Sequence, residues 1–452
     1  MPLPRTLHFA QALLPEGWAR GVRVTIASGL IAAIETGCEP TGECHAIGLP
    51  GLGNLHSHAF QRGMAGLAET RGPSGDNFWT WREVMYRFLA QMGPDEMQAI
   101  AALAYMEMLE TGFTRVGEFH YLHHAPDGTP YANPAQMSAS LAAAAQETGL
   151  GLTLLPVFYV HAGFGGQAPT PGQRRFVTTL DQFAALHDAA RTAVAPLEDG
   201  VIGIAPHSLR AVTLEQLRVL SSLAPEAPIH IHIAEQQREV EDCLTWSGQR
   251  PVAWLLDHMP VDRRWCLVHA THMTLHETQA LAQSGAAAGL CPITEANLGD
   301  GLFPAEDFLA AGGVYGIGSD SNVRIDASEE LRLLEYGQRL SRQGRNMMAR
   351  EAGQSTGGAI YRAALTGGAQ ALGTLEGLRV GQSADIVSLD ADHPSLTARS
   401  GDALLDGLIF SAGRGAVDRV WRRGRMVVEQ GRHVARDTIA ARYRRVLAGL
   451  LA

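Results

Sequence analysis

The sequence predicts an α/β protein: a (β/α)8 TIM-like barrel with a small β-sandwich domain built from both chain termini. Three observations predict it. Short apolar runs rich in Val, Ile, Leu and Gly recur through the middle of the chain, separated by stretches with helical spacing. Eight such alternations within about 330 residues match the size of a barrel with insertions. Both ends of the chain instead alternate apolar and polar residues, with glycine at turn positions.

The elements follow in order. In "RVTIASGLIAAIE" (23–35), Ser28-Gly29 reads as a hairpin turn between two half-buried strands. The runs at 46–58, 114–124, 150–160 and 201–210 supply the first four barrel strands. Those at 228–236, 264–273, 286–299 and 313–322 supply the rest. Between them lie helical patterns such as 94–112 and 327–340. The Gly/Pro-rich 161–175 reads as a long loop after the third strand, lid-like over 163–173. Strand texture returns at 383–390 and 417–434, and a helix over 436–451 ends the chain. The expected organisation is therefore 1–48 with 376–435 as the small domain, 49–375 as the barrel and 436–452 as a terminal helix.

Composition narrows the chemistry. Apolar residues make up 46% of the 452, ample for a large core. A net charge of −10, with no basic stripe, argues against a nucleic-acid partner. It leaves room for a small anionic substrate, since a few pocket arginines outweigh global charge locally. The N-terminus lacks the pattern of a secretory signal, and no apolar run reaches the roughly 18 residues of a membrane span. Cys38, Cys44, Cys243, Cys266 and Cys291 are scattered and form no C-x-x-C, which fits a reducing cytoplasm. The sequence contains no lysine, so Schiff-base catalysis and P-loop phosphate binding are excluded.

Barrel enzymes carry their chemistry at the C-terminal ends of the strands. Strand one here ends in His56-x-His58, strand two in Glu118, His120 and Tyr121, and strand four in His207 and Arg210. Strand five carries His230, His232 and Glu235; strand six ends in His269 and strand eight in Asp320. Taken singly, each has an ordinary explanation. With 18 histidines, chance H-x-H pairs are expected. A rim histidine is usually just hydrogen-bonded, and an Asp after Gly-Ser is usually a cap. Jointly, three imidazoles and a carboxylate on one rim are the ligand types of a catalytic divalent metal. Period-2 alternation puts His230 and His232 on one face, so spacing alone does not choose between them.

These residues carry a resemblance. "NLHSH", "HIHIAE", "VHATH" and "GIGSDSN", with the return "GLRVGQSADIVSLD" (377–390), resemble the amidohydrolase superfamily over nearly the whole chain. Binuclear members bridge two metals with a carboxylated lysine, which this chain cannot supply. The resemblance therefore implies the mononuclear deaminase type. It implies that His56, His58, His232 and Asp320 hold one divalent ion, zinc by default, with His230 a packed neighbour. It further implies Glu235 as proton shuttle, and His269, with Asp320, as a residue that fixes or helps deprotonate the attacking water.

Two longer stretches, "NLHSHAFQRGMAG" (54–66) and "FWTWREVMYRF" (78–88), resemble the N-formimino-L-glutamate deiminase family of histidine degradation. That implies hydrolysis to N-formyl-L-glutamate and ammonia, and a homodimer. A substrate with two carboxylates asks for cationic forks, which arginine supplies bidentately. Arg210 and Arg82 are the leading candidates, with Gln61, Tyr121 and His207 as hydrogen-bonding partners. Arg62 and Arg324 rank lower. The same centre would also serve an aminohydrolase of a ring amidine such as a guanine, cytosine or adenosine-like substrate. A non-catalytic barrel kept for protein interaction is the third reading.

Overall fold

Strands that face a filled barrel on one side and helices on the other must be apolar on both faces. The second and third barrel strands, Phe113–His120 and Gly151–Phe158, are accordingly buried at every residue. The structure, a computed structural model, describes residues 5–73, 75–375 and 377–452. The first four residues of the expected small domain, and the start of its second segment at 376, lie outside the described residues.

Parallel pairing runs from Leu52–Ser57 through the second and third strands to a fourth made of two pieces, Val201–Ile202 and Ala205–Pro206. It resumes through Ile229–Ile233, Trp265–His269, Ala287–Leu290 and Val314–Ile317. Ile317 pairs with Asn54 and closes the eighth strand on the first. The fourth and fifth strands are joined by bridges from Ile204 to Ile229 and from Ser208 to His232. Gly203 divides the fourth strand where it turns between neighbours. A Cβ there would lie 2.7 Å from the Pro228 carbonyl oxygen, so the crossing requires glycine.

Two runs divide differently from the sequence expectation. The 46–58 run is two strands: Glu43–Pro50 joins the terminal sheet, and only Leu52–Ser57 joins the barrel. The 286–299 run is strand only over Ala287–Leu290, after which Pro292 opens the helix Pro292–Leu298. The expected helices at 94–112 and 327–340 form as Pro94–Glu110 and Ala327–Arg342. The insertion after the first strand adds the helix Phe78–Leu89, whose first N–H groups are capped by Asn77.

Strands from both termini form one eight-stranded sheet separate from the barrel. Ile386–Leu389 pairs antiparallel with Glu43–Pro50 and joins the two halves. A bridge from Leu30 to Ser383 returns the far edge towards the C-terminal half, so one curled sheet makes both layers. Leu7, Phe9, Val22, Val24, Ile386 and Trp421 fill its core. The hairpin turn is at Ser28-Gly29, with φ of 50° and 80°.

Asp199 fastens sheet to barrel, 2.7 Å from both Arg115 of the second barrel strand and Arg422 of the sheet. This junction lies at the N-terminal end of the barrel and leaves the opposite rim free for chemistry. The helix Arg436–Leu450 packs on Pro94–Glu110, with Arg436 paired to Glu110. No helix among the described residues is long and apolar enough to cross a membrane.

Candidate active site

At the C-terminal rim, the side chains of His56, His58, His232 and Asp320 converge, each offering one donor atom within 4.8 Å of the others. Alternation along the first strand points His56 and His58 inward, while Ser57 pairs sideways with the Asp320 backbone. Asp320, at φ 45°, is pinned by hydrogen bonds from its N–H to His56 O and from the His58 N–H to its own O, both 2.9 Å. Asn322 Nδ2 donates to the His58 and Asp320 carbonyls, at 3.1 and 2.9 Å, and fixes the same turn.

His58 Nδ1 donates to Phe119 O at 2.8 Å and His232 Nδ1 to His207 O at 3.1 Å. Each Nε2 is thereby left as a lone pair facing the centre. Burial pushes the His56 imidazole down to about 3 and holds His232 well below its ordinary value, so both are neutral. Asp320 Oδ1 lies 3.5 Å from His56 Nε2 and 3.3 Å from His58 Nε2. Three converging imidazoles, two of them with inward lone pairs, and a carboxylate are a donor set that fits a divalent metal ion.

His230 shares the inward face with His232 but lies one layer deeper. Its Nε2 donates to Ala371 O at 2.7 Å, so depth in the barrel separates two residues that alternation could not. His123 and His124 each use Nε2 on a backbone carbonyl, of Val157 and Val177, both at 2.8 Å. Glu118 accepts from the Ala59 N–H at 2.7 Å.

Glu235 and His269 flank the centre. His269 Nε2 lies 3.8 Å from Glu235 Oε1 and 3.9 Å from Asp320 Oδ2. Its Nδ1 is 3.2 Å from Glu295 Oε1. Burial opposes charge on this ring, but Glu235, Glu295 and Asp320 outweigh it and push its pKa up to about 10. Burial first, and the Asp320 charge with it, pushes the Glu235 carboxyl up to about 7 against the pull of His269. A carboxyl near neutrality can take and return a proton at ordinary pH. Ala234, His269 and Asp320 all have positive φ, at 50°, 68° and 45°, so strained turns aim these side chains.

Above the cluster lies a cavity that His58, His232, Glu235, His269 and Asp320 line at its floor. All five expected substrate-binding residues line it: Gln61, Arg82, Tyr121, His207 and Arg210. Gln61 Nε2 donates to Tyr121 Oη at 3.0 Å. Arg82, from Phe78–Leu89, packs its guanidinium 4.5 Å from the Trp79 ring centre. The Nε atoms of Arg82 and Arg210 are buried and have no hydrogen-bond partner among the described residues. Arg62 is instead paired with Glu107 at 2.6 Å, and Arg324 is 62% exposed, so neither serves the cavity.

Sequence reasoning missed Glu295, which orients His269, and Glu239, which faces Arg210 at 3.9 Å. It also missed the aromatic wall of Phe78, Tyr86, Tyr159 and Phe176. The aromatic density of "FWTWREVMY" was a usable signal for part of that wall; nothing marked Glu295.

A closed barrel, a terminal sheet and a His-His-His-Asp metal site on the rim define a class. Residues 47–427 match the Amidohydrolase family, and residues 5–44 match the N-terminal domain of the formimidoylglutamate deiminase HutF. The chain belongs to the amidohydrolase family. It is 52% identical to formimidoylglutamate deiminase of Pseudomonas aeruginosa over 98% of each chain. It superposes on an amidohydrolase from Brucella melitensis with TM-score 0.96 and 55% identity, covering 99% of this chain and 100% of that one. An adenosine deaminase from Xanthomonas campestris, solved with bound zinc, has 23% identity and TM-score 0.82 over 98% of each chain, a likeness of fold.

Proposed function

We infer that the protein hydrolyses N-formimino-L-glutamate to N-formyl-L-glutamate and ammonia, using one divalent metal ion. The observation that carries this reading is the cavity, where the metal donor set and Glu235 face Arg82 and Arg210, whose buried Nε atoms are unpartnered among the described residues. The Pseudomonas aeruginosa relative carries the name of that activity.

His56, His58, His232 and Asp320 would hold the ion, which lowers the pKa of water and so supplies the nucleophile at ordinary pH. Zinc is the reading for three imidazoles and a carboxylate, and the Xanthomonas campestris adenosine deaminase binds it. Arg82 and Arg210 take the substrate carboxylates, with Gln61, Tyr121 and His207 completing the hydrogen bonds. That binding holds the formimino carbon over the rim. His269, oriented by Glu295, directs the attacking water towards that carbon. Glu235 accepts a proton as the C–O bond forms and gives it to the nitrogen whose C–N bond breaks. Amidinium plus water becomes formamide-linked glutamate plus ammonium, so atoms and charge balance. We extend the reading to a homodimer in the cytoplasm, where five unpaired cysteines fit a reducing setting.

The test is a substrate panel for metal-loaded protein. Turnover of N-formimino-L-glutamate, with glutarate as competitor, supports the reading. Turnover confined to guanine, cytosine or adenosine, untouched by glutarate, moves the substrate to the ring amidines.

A further inference from the structure

Glu239 is a buried carboxylate in the first turn of the helix Gln237–Ser247, 1% exposed. Its Oε1 accepts the Ala234 N–H at 3.2 Å, and the Glu235 N–H also lies against the carboxylate. Ala234 has φ 50°, so this bond secures the strained turn that presents Glu235. Its Oε2 has no hydrogen-bond partner among the described residues and faces Arg210 Nε across 3.9 Å. That Nε is equally buried and unpartnered.

Opposite charges at this distance and depth attract strongly enough to fix direction. A contact through Nε leaves the two terminal nitrogens of Arg210 available for a bidentate carboxylate. A carboxylate serving only the helix N-terminus would have no reason to direct an oxygen away from the N–H groups and towards a cavity arginine. The Trp79 ring, 5.8 Å from the Arg210 guanidinium, bounds that arginine as well.

Resting on the deiminase reading above, we propose that Glu239 is a positioning residue joining substrate-carboxylate binding to the proton shuttle. One oxygen aims Arg210 and the other holds the turn of Glu235.

Steady-state kinetics on N-formimino-L-glutamate test it. In Glu239→Gln the amide oxygen still accepts from Ala234 while the charge is gone. KM should rise about tenfold, with kcat within about twofold. Glu239→Ala loses both contacts and should also lower kcat about tenfold. In an Arg210→Met background, Glu239→Gln should change KM by less than about twofold, because its partner is absent. An unchanged KM in Glu239→Gln, or an equal rise with and without Arg210, overturns the proposal. No turnover by the wild-type protein would instead sink the substrate reading, and this proposal with it.

Discussion

The Nε2 atoms of His56 and His232 face one another at 3.0 Å, both on neutral rings. At this distance one ring can donate to the other, and an ion held by the three imidazoles and Asp320 would replace that contact with coordination. Chelation should abolish turnover and also lower Tm, reversibly on adding zinc. Stabilisation by a ligand at a thousand times its Kd is about 4 kcal/mol, enough to read by calorimetry. An apo protein with unchanged Tm would contradict it.

Glu235→Gln should lower kcat by about a thousandfold while metal content by atomic emission stays at one per chain. Loss of metal in this variant would move Glu235 from proton transfer to ligation.

Arg210→Met and Arg82→Met should each raise KM by about tenfold or more and leave metal content unchanged, since a charge-assisted pair to the substrate carboxylate is lost. Arg62→Met, whose partner is Glu107, should leave KM as it is.

Glu295→Gln should lower kcat by about tenfold or more by releasing the ring of His269, with KM little affected. An unchanged kcat would show that His269 needs no such orientation.

Far from the rim, burial would raise the Asp199 carboxyl, but Arg422 and Arg115 hold it down to about 2 against an ordinary 3.8. A lowered folded-state pKa stabilises above the ordinary value and loses that contribution as pH falls from 3.8 towards 2. Asp199→Asn should cost about 2 kcal/mol near neutral pH, because two buried guanidiniums lose a partner, and the difference should shrink in acid. Denaturant melts at both pH values measure it.

The barrel was legible because its strands are buried on both faces and punctuated by glycine, as in Gly151–Phe158. The residues that meet at the rim were legible because histidines and carboxylates follow those runs directly. The join at Gly51 was not, because apolar texture continues from Glu43–Pro50 into Leu52–Ser57 while the chain changes sheets. Period-2 spacing could not separate His230 from His232; a layer of depth and the Ala371 carbonyl do so. Glu295 and Glu239 act on residues from other segments, His269 and Arg210, and only closure of the barrel reveals those pairings.

Identification of the products formed by metal-loaded protein from N-formimino-L-glutamate tests the central claim most directly. Ammonia and N-formyl-L-glutamate in equal amounts are predicted. Formamide and glutamate would contradict it, because the other C–N bond would have broken.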